Sequence, residues 1–135
     1  MLKSFKLVVS IAAFIFCIQV LSEERNLSND NPVFEIVKWK SKSDISDEAM
    51  VDAVNSMVVD LRSLKGFLHQ SLYKNSSDEW VDIYYWETEM DAHASNTSMA
   101  DKASFKKLIE LIELNSVSIE VMHQLQSSGE QSFGK

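Results

Sequence analysis

Residues 33–40 alternate along the chain, with Val33, Glu35, Val37 and Trp39 on one side and Phe34, Ile36, Lys38 and Lys40 on the other. That period of two is the mark of a strand. A serine-rich turn follows, in which Ser46 can cap a helix whose first turn carries Asp47 and Glu48, favourably placed against the helix dipole. Met50, Ala53, Val54, Met57, Val58, Leu61 and Leu64 then recur at three- and four-residue spacing, which predicts a long amphipathic helix closed by Gly66 at a C-terminal cap. Residues 67–74 alternate weakly, Asn75-Ser76-Ser77-Asp78 is a turn cluster, and residues 79–87 form an aromatic-rich strand, so the pair reads as a hairpin. Thr88 with Asp91 forms a capping-box-like start to a second helical region, predicted to break near Ser95 to Ser98 and to restart before Phe105, Leu108, Ile109 and Ile112. Val117, Ile119, Val121, His123 and Leu125 alternate with Ser118, Glu120, Met122 and Gln124 as a last strand.

The order β-α-β-β-α-β is the split arrangement of an α+β, ferredoxin-like sandwich: one antiparallel four-stranded sheet with helices on one face. A sheet covered on one face only should be apolar at alternate positions. Here Trp80, Tyr84 and Trp86 share one face of the third strand, while Val81, Ile83 and Tyr85 share the other, and Phe34 and Ile36 oppose Val33, Val37 and Trp39 on the first. Both faces call for burial, which predicts that the second packs against a further copy of the chain in a homodimer. A monomer with a semi-apolar second face is the alternative, because Glu35, Asp82 and Glu120 also lie on strands.

The chain has 135 residues, and its beginning reads as a leader. Lys3 and Lys6 precede an apolar run from Leu7 to Leu21, and Val20-Leu21-Ser22 offers a cleavage site before Glu23-Glu24-Arg25, so residues 1–22 are expected to be a secretory signal peptide. The run is too short for a spanning helix, which needs about 20 apolar residues. Residues 23–32 read as a flexible lead-in ending at Pro32, residues 33–126 as the folded domain, and residues 127–135 as a disordered tail. The expected destination is export, to a periplasm or the extracellular space. Cys17 is the one cysteine and lies in the leader, so the processed chain has no thiol, disulfide or cysteine-ligated metal. The formal charge of −7 becomes about −9 once Lys3 and Lys6 leave with no acid. Such a surface disfavours nucleic acid and anionic membranes, and the acidic positions read as solvated.

Candidate chemistry is sparse. His69, His93 and His123 are the side chains whose ordinary pKa suits proton transfer near neutrality, but they lie on three elements without metal-ligand spacing. Trp39, Tyr85 and Trp86 can stack an aromatic ligand or simply fill core. The sequence has no glycine-rich phosphate loop, no readable Ser-His-Asp set and no carboxylate pair in a recognisable acid/base context.

The element plan, the strand-end Tyr85-Trp86-Glu87-Thr88 followed by Glu89-Met90-Asp91-Ala92-His93-Ala94-Ser95, the later Phe105-Lys106-Lys107-Leu108 and the final Val117-Ser118-Ile119-Glu120-Val121 together resemble the dimeric α+β barrel superfamily. The nearest match is its antibiotic-biosynthesis-monooxygenase-like branch. The resemblance implies a homodimer and a pocket between sheet and helices, with Trp86 as the strand-end aromatic that walls it. It also implies either oxygenation of a small quinol or phenol without metal or flavin, or a non-catalytic binding or stress-related module. For the enzyme reading, His93 and His69 are the candidate bases, Trp39, Tyr85 and Trp86 the walls, and no cofactor or metal is expected. The haem-degrading branch needs an asparagine on the first strand, a tryptophan in the helix after the strand-end tryptophan and a histidine some ten residues on. Lys38 or Trp39, Ser95 and Phe105 stand there instead, which disfavours haem degradation.

Overall fold

The structure, a computed structural model, describes residues 32–129. The expected leader, most of the lead-in and the end of the tail lie outside the described residues. Within them run β1 (Val33–Trp39), α1 (Asp47–Leu61), β2 (Phe67–Lys74), β3 (Trp80–Trp86), α2 (Glu89–Met99), α3 (Ala103–Leu111), a short 3₁₀ turn (Leu114–Ser116) and β4 (Ser118–His123). The sheet is antiparallel throughout, in the order β2-β3-β1-β4. This is the ferredoxin-like arrangement expected from the period changes.

Local chemistry sets the boundaries. Ser46 accepts from the Ala49 backbone N–H at the start of α1, and the Thr88 hydroxyl accepts from the Asp91 N–H at the start of α2. The hairpin closes at Asn75, whose side-chain oxygen accepts from the N–H groups of Ser77 and Glu79, while Asp78 takes the left-handed conformation at φ 56°. Two helix boundaries differ from expectation. Helix α1 ends at Leu61, and Gly66 instead turns the chain into β2 at φ 76°. A side chain there would strike the Asp91 carboxylate, 2.4 Å from where a Cβ would stand, so glycine is required by packing as well as by φ. The second helical region also runs unbroken through Ser95 and Ser98, whose hydroxyls bond back to carbonyls of their own helix, Ala92 and Ala94. The break falls at residues 100–102, where Lys102 is extended.

Register decides which residues share the covered face. Val33 pairs with Trp86, Glu35 with Tyr84, Val37 with Asp82 and Trp39 with Trp80. These lie beneath the helices, where Trp39, Trp86 and Val33 join Met50, Val54, Met57, Leu61, Met99 and Leu108 in the core. Burial of each large side chain is worth about 1.5–3 kcal/mol, so this face anchors the fold. On the opposite face Phe34, Ile36, Val81, Ile83 and Tyr85 are half-buried in the single chain, with Phe34 and Tyr85 edge to face at 4.7 Å.

Glu35 and Asp82 occupy the helix-covered face, 3% and 0% exposed. This corrects two expectations: these acids are not part of a solvated surface, and they do not dilute the second face.

Candidate functional site: a cavity between sheet and helices

A cavity of about 230 Å³ lies between the sheet and the helices. Its floor is β1 and β3, through Glu35, Val37, Trp39, Tyr84 and Trp86, and its roof is apolar, with Met57, Leu61, Met99, Phe105 and Leu108. Leu114 and Ile119, at 61% and 56% exposed, form the rim by which it meets solvent. Such a concave, mostly apolar space with a few placed polar groups is the usual form of a small-molecule site.

The polar groups gather on one wall. Glu35 Oε2 accepts from the Trp86 indole N–H at 3.2 Å, and Ser95 and Asn96 of α2 line the same space. The Tyr84 hydroxyl donates to Asp82 Oδ2, while Gln70 Nε2 donates to Asp82 Oδ1 at 2.5 Å. Burial pushes the Glu35 pKa up, opposed in part by the Trp86 hydrogen bond, the charge of His93 and Asn96. Burial also lifts Asp82 to about 6, against the hydrogen bonds from Tyr84 and Gln70 that favour its charged form, with the neighbouring Glu35 charge adding to the rise. Burial and the adjacent Asp82 together push Tyr84 well above its ordinary range, so it remains a neutral hydroxyl. Among the described residues that line it, none is lysine, arginine or histidine. The buried Trp39 indole N–H has no hydrogen-bond partner among the described residues. An unpaired buried donor costs about 1–3 kcal/mol.

The sequence-predicted site residues divide. Trp39 and Trp86 wall the cavity as expected. Tyr85 points to the opposite face of the sheet, paired with Phe34 and close to His69, because neighbouring residues on a strand face opposite ways. His69 is exposed on that same face, 2.9 Å from the Ser71 hydroxyl. His93 is exposed on α2 beside Glu89, whose other carboxylate oxygen meets His123 at 3.2 Å. Neither candidate base lines the cavity, although His93 is near enough to influence Glu35 by charge. The polar groups that do line it, Glu35, Tyr84, Ser95 and Asn96, were absent from the sequence-based site. A signal existed: Glu35 and Asp82 stand in register with Val33, Trp39, Trp80 and Trp86, as charged interruptions of the most apolar face in the chain. Among the described residues no group of three or more His, Cys, Asp or Glu side chains could hold a metal ion, and no helix is long and apolar enough to cross a membrane.

Comparison with solved structures places this architecture. A variant of SnoaB, a cofactor-independent oxygenase from Streptomyces nogalater, superposes with a TM-score of 0.62 at 11% identity, over 74% of this chain and 99% of that one. Rv0793 from Mycobacterium tuberculosis gives 0.56 at 16% identity, over 73% and 100% of the two chains. A candidate antibiotic biosynthesis monooxygenase from Nitrosomonas europaea gives 0.57 at 16% identity, over 76% and 98%. No protein-family model matches the sequence, and no curated protein matches it. The likeness is one of fold: the chain shares the ferredoxin-like α+β architecture of these structures.

Proposed function

We propose that this protein is a cofactor-independent monooxygenase of a small quinol or phenol, exported and active as a homodimer. The observation that carries the reading is the cavity itself, an apolar space walled by Trp39, Trp86 and Tyr84, in a fold shared with a cofactor-independent oxygenase. A substrate with an electron-rich ring can supply the electrons for dioxygen. The protein then has to exclude water, hold the ring against aromatic walls and manage one proton, and the cavity has the groups for these tasks. The roof residues fit a ring better than a charged ligand, which would lose its hydration without a counter-ion.

The homodimer places the second face of the sheet against its copy in a partner subunit. Phe34, Ile36, Ile83 and Tyr85 are half-exposed there, and an uncovered patch of this kind is costly in water. Export follows from the leader-like first 22 residues read in the sequence.

Oxygen uptake by the processed protein with a panel of hydroquinones and naphthols tests the activity. Val117→Trp, at a half-buried lining position, should plug the space while the melting temperature stays near that of the parent. At least one substrate should be consumed by the parent and not by the plugged variant. If no compound raises uptake above the plugged variant's rate while some still bind, the non-catalytic binding module takes the place of the enzyme.

A further inference from the structure

The acidic character of the polar wall makes a narrower demand than the cavity's shape does. Glu35 is 3% exposed yet lines the cavity, and one of its oxygens is fixed by the Trp86 indole at 3.2 Å. A carboxylate accepts through two oxygens with several lone pairs, so the bonds from Trp86 and Asn96 still leave accepting capacity on a residue that lines the cavity. The charged and titratable groups around it are Asp82 and Tyr84 on β3 and His93 on α2. Its register partner on β4 is Val121, and α1 and α3 present Met57, Leu61 and Leu108 to the cavity. Asp82 is already committed to Gln70 and Tyr84, which leaves Glu35 as the acid available to a ligand.

A ligand carboxylate or phosphate would meet two buried acids and, among the described lining residues, no basic side chain, so the cavity disfavours it. An ammonium group would lose its hydration in crossing an apolar rim. A neutral ring bearing a hydroxyl meets both conditions, because it enters uncharged and donates one hydrogen bond. Trp39 also walls the cavity, and its indole N–H, without a hydrogen-bond partner among the described residues, is a donor that a ligand oxygen could satisfy.

We propose that Glu35, held by Trp86, receives the hydroxyl of a neutral phenolic ligand and takes its proton, in place of either His93 or His69. The hydroxyl contact stands on the cavity alone, whereas the proton transfer rests on the oxygenase reading above. As the ring gives one electron to dioxygen, the O–H bond breaks and its proton passes to the Glu35 carboxylate. A neutral phenoxyl radical and superoxide remain, and the carboxyl ends protonated. Burial raises the proton affinity of Glu35, which suits it to this task.

Glu35→Gln tests the assignment, since glutamine keeps an acceptor for Trp86 and removes a buried charge, so the fold is preserved. Binding is followed by tryptophan fluorescence with 1-naphthol and its methyl ether, and turnover by oxygen uptake with a 1,4-naphthohydroquinone across pH. The parent should prefer the free hydroxyl by about 10-fold, and the variant should lose that preference. Turnover in the variant should fall by about 100-fold in kcat with little change in KM, and the acidic limb of the parent's pH profile should disappear. A variant that keeps both the preference and the limb overturns the assignment. A parent that prefers naphthol over its ether but consumes no oxygen supports the hydroxyl contact and overturns the proton transfer together with the oxygenase reading. A parent that binds neither compound, or both equally, overturns the hydroxyl contact.

Discussion

Asp82 shows how much one side chain can set. It is fully buried, takes hydrogen bonds from Gln70 and Tyr84, and has its pKa lifted to about 6 by burial. An acid whose folded pKa is raised binds its proton more tightly folded than unfolded. Its stabilising contribution is therefore complete below the ordinary value of 3.8 and is lost as pH rises through about 6. A rise of this size corresponds to a loss on the order of 2–3 kcal/mol across that window. Glu35 is shifted in the same direction and adds to the trend. Urea unfolding between pH 4 and 7 should show stability falling through this range, and Asp82→Asn should flatten much of the slope. A variant with the same slope as the parent would place the titration elsewhere.

Among the elements, α2 depends most on its first turn. Its polar sequence gives it little amphipathic drive, and its buried face consists of Asp91, Ala92, Ser95 and Met99. Thr88 contributes twice there, accepting from the Asp91 N–H at 3.1 Å and donating to the buried Asp91 carboxylate at 2.7 Å. Thr88→Ala should cost about 1–2 kcal/mol, the loss of a cap together with a weakened buried acceptor. Ser46→Ala at the start of α1 should cost less, because Ser46 makes a single exposed cap bond and α1 is held by five buried residues. Urea midpoints of the two variants check the order, and equal losses would mean that the Asp91 contact adds nothing. The cavity inherits this dependence, since Ser95, Asn96 and Met99 reach it from α2.

For the molecule as a whole, the outer face of the sheet carries the proposed assembly. Ile83 sits on that face, paired with Ile36 on one neighbouring strand and Ser71 on the other, with Phe34 and Tyr85 close by. In the proposed homodimer, Ile83→Lys buries a charge at the interface and should shift sedimentation from twice the chain mass to the chain mass. Circular dichroism should be unchanged, because the position is half-exposed in the single chain. A parent that already sediments as one chain at micromolar concentration would end the dimer reading. The cavity opens on the other side of the sheet, so a dimer of this kind leaves the rim at Leu114 and Ile119 accessible.

By itself the sequence determined the element order, the two serine and threonine caps, the hairpin at Asn75 and the parity of residues on each strand, because each of these follows from backbone preference and side-chain period within a few residues. The register of β1 against β3, which places Trp39 and Trp86 on one face, came from the structure. Only the tertiary structure decided which face the helices cover, and that choice moved Glu35 and Asp82 from presumed surface to buried wall and left His69 and Tyr85 on the opposite side. The exposed position of His93 was settled in the same way, by how α2 rolls on the sheet. Alternation reports that two side chains point the same way, but burial, and with it pKa and access to a ligand, depends on what packs above them.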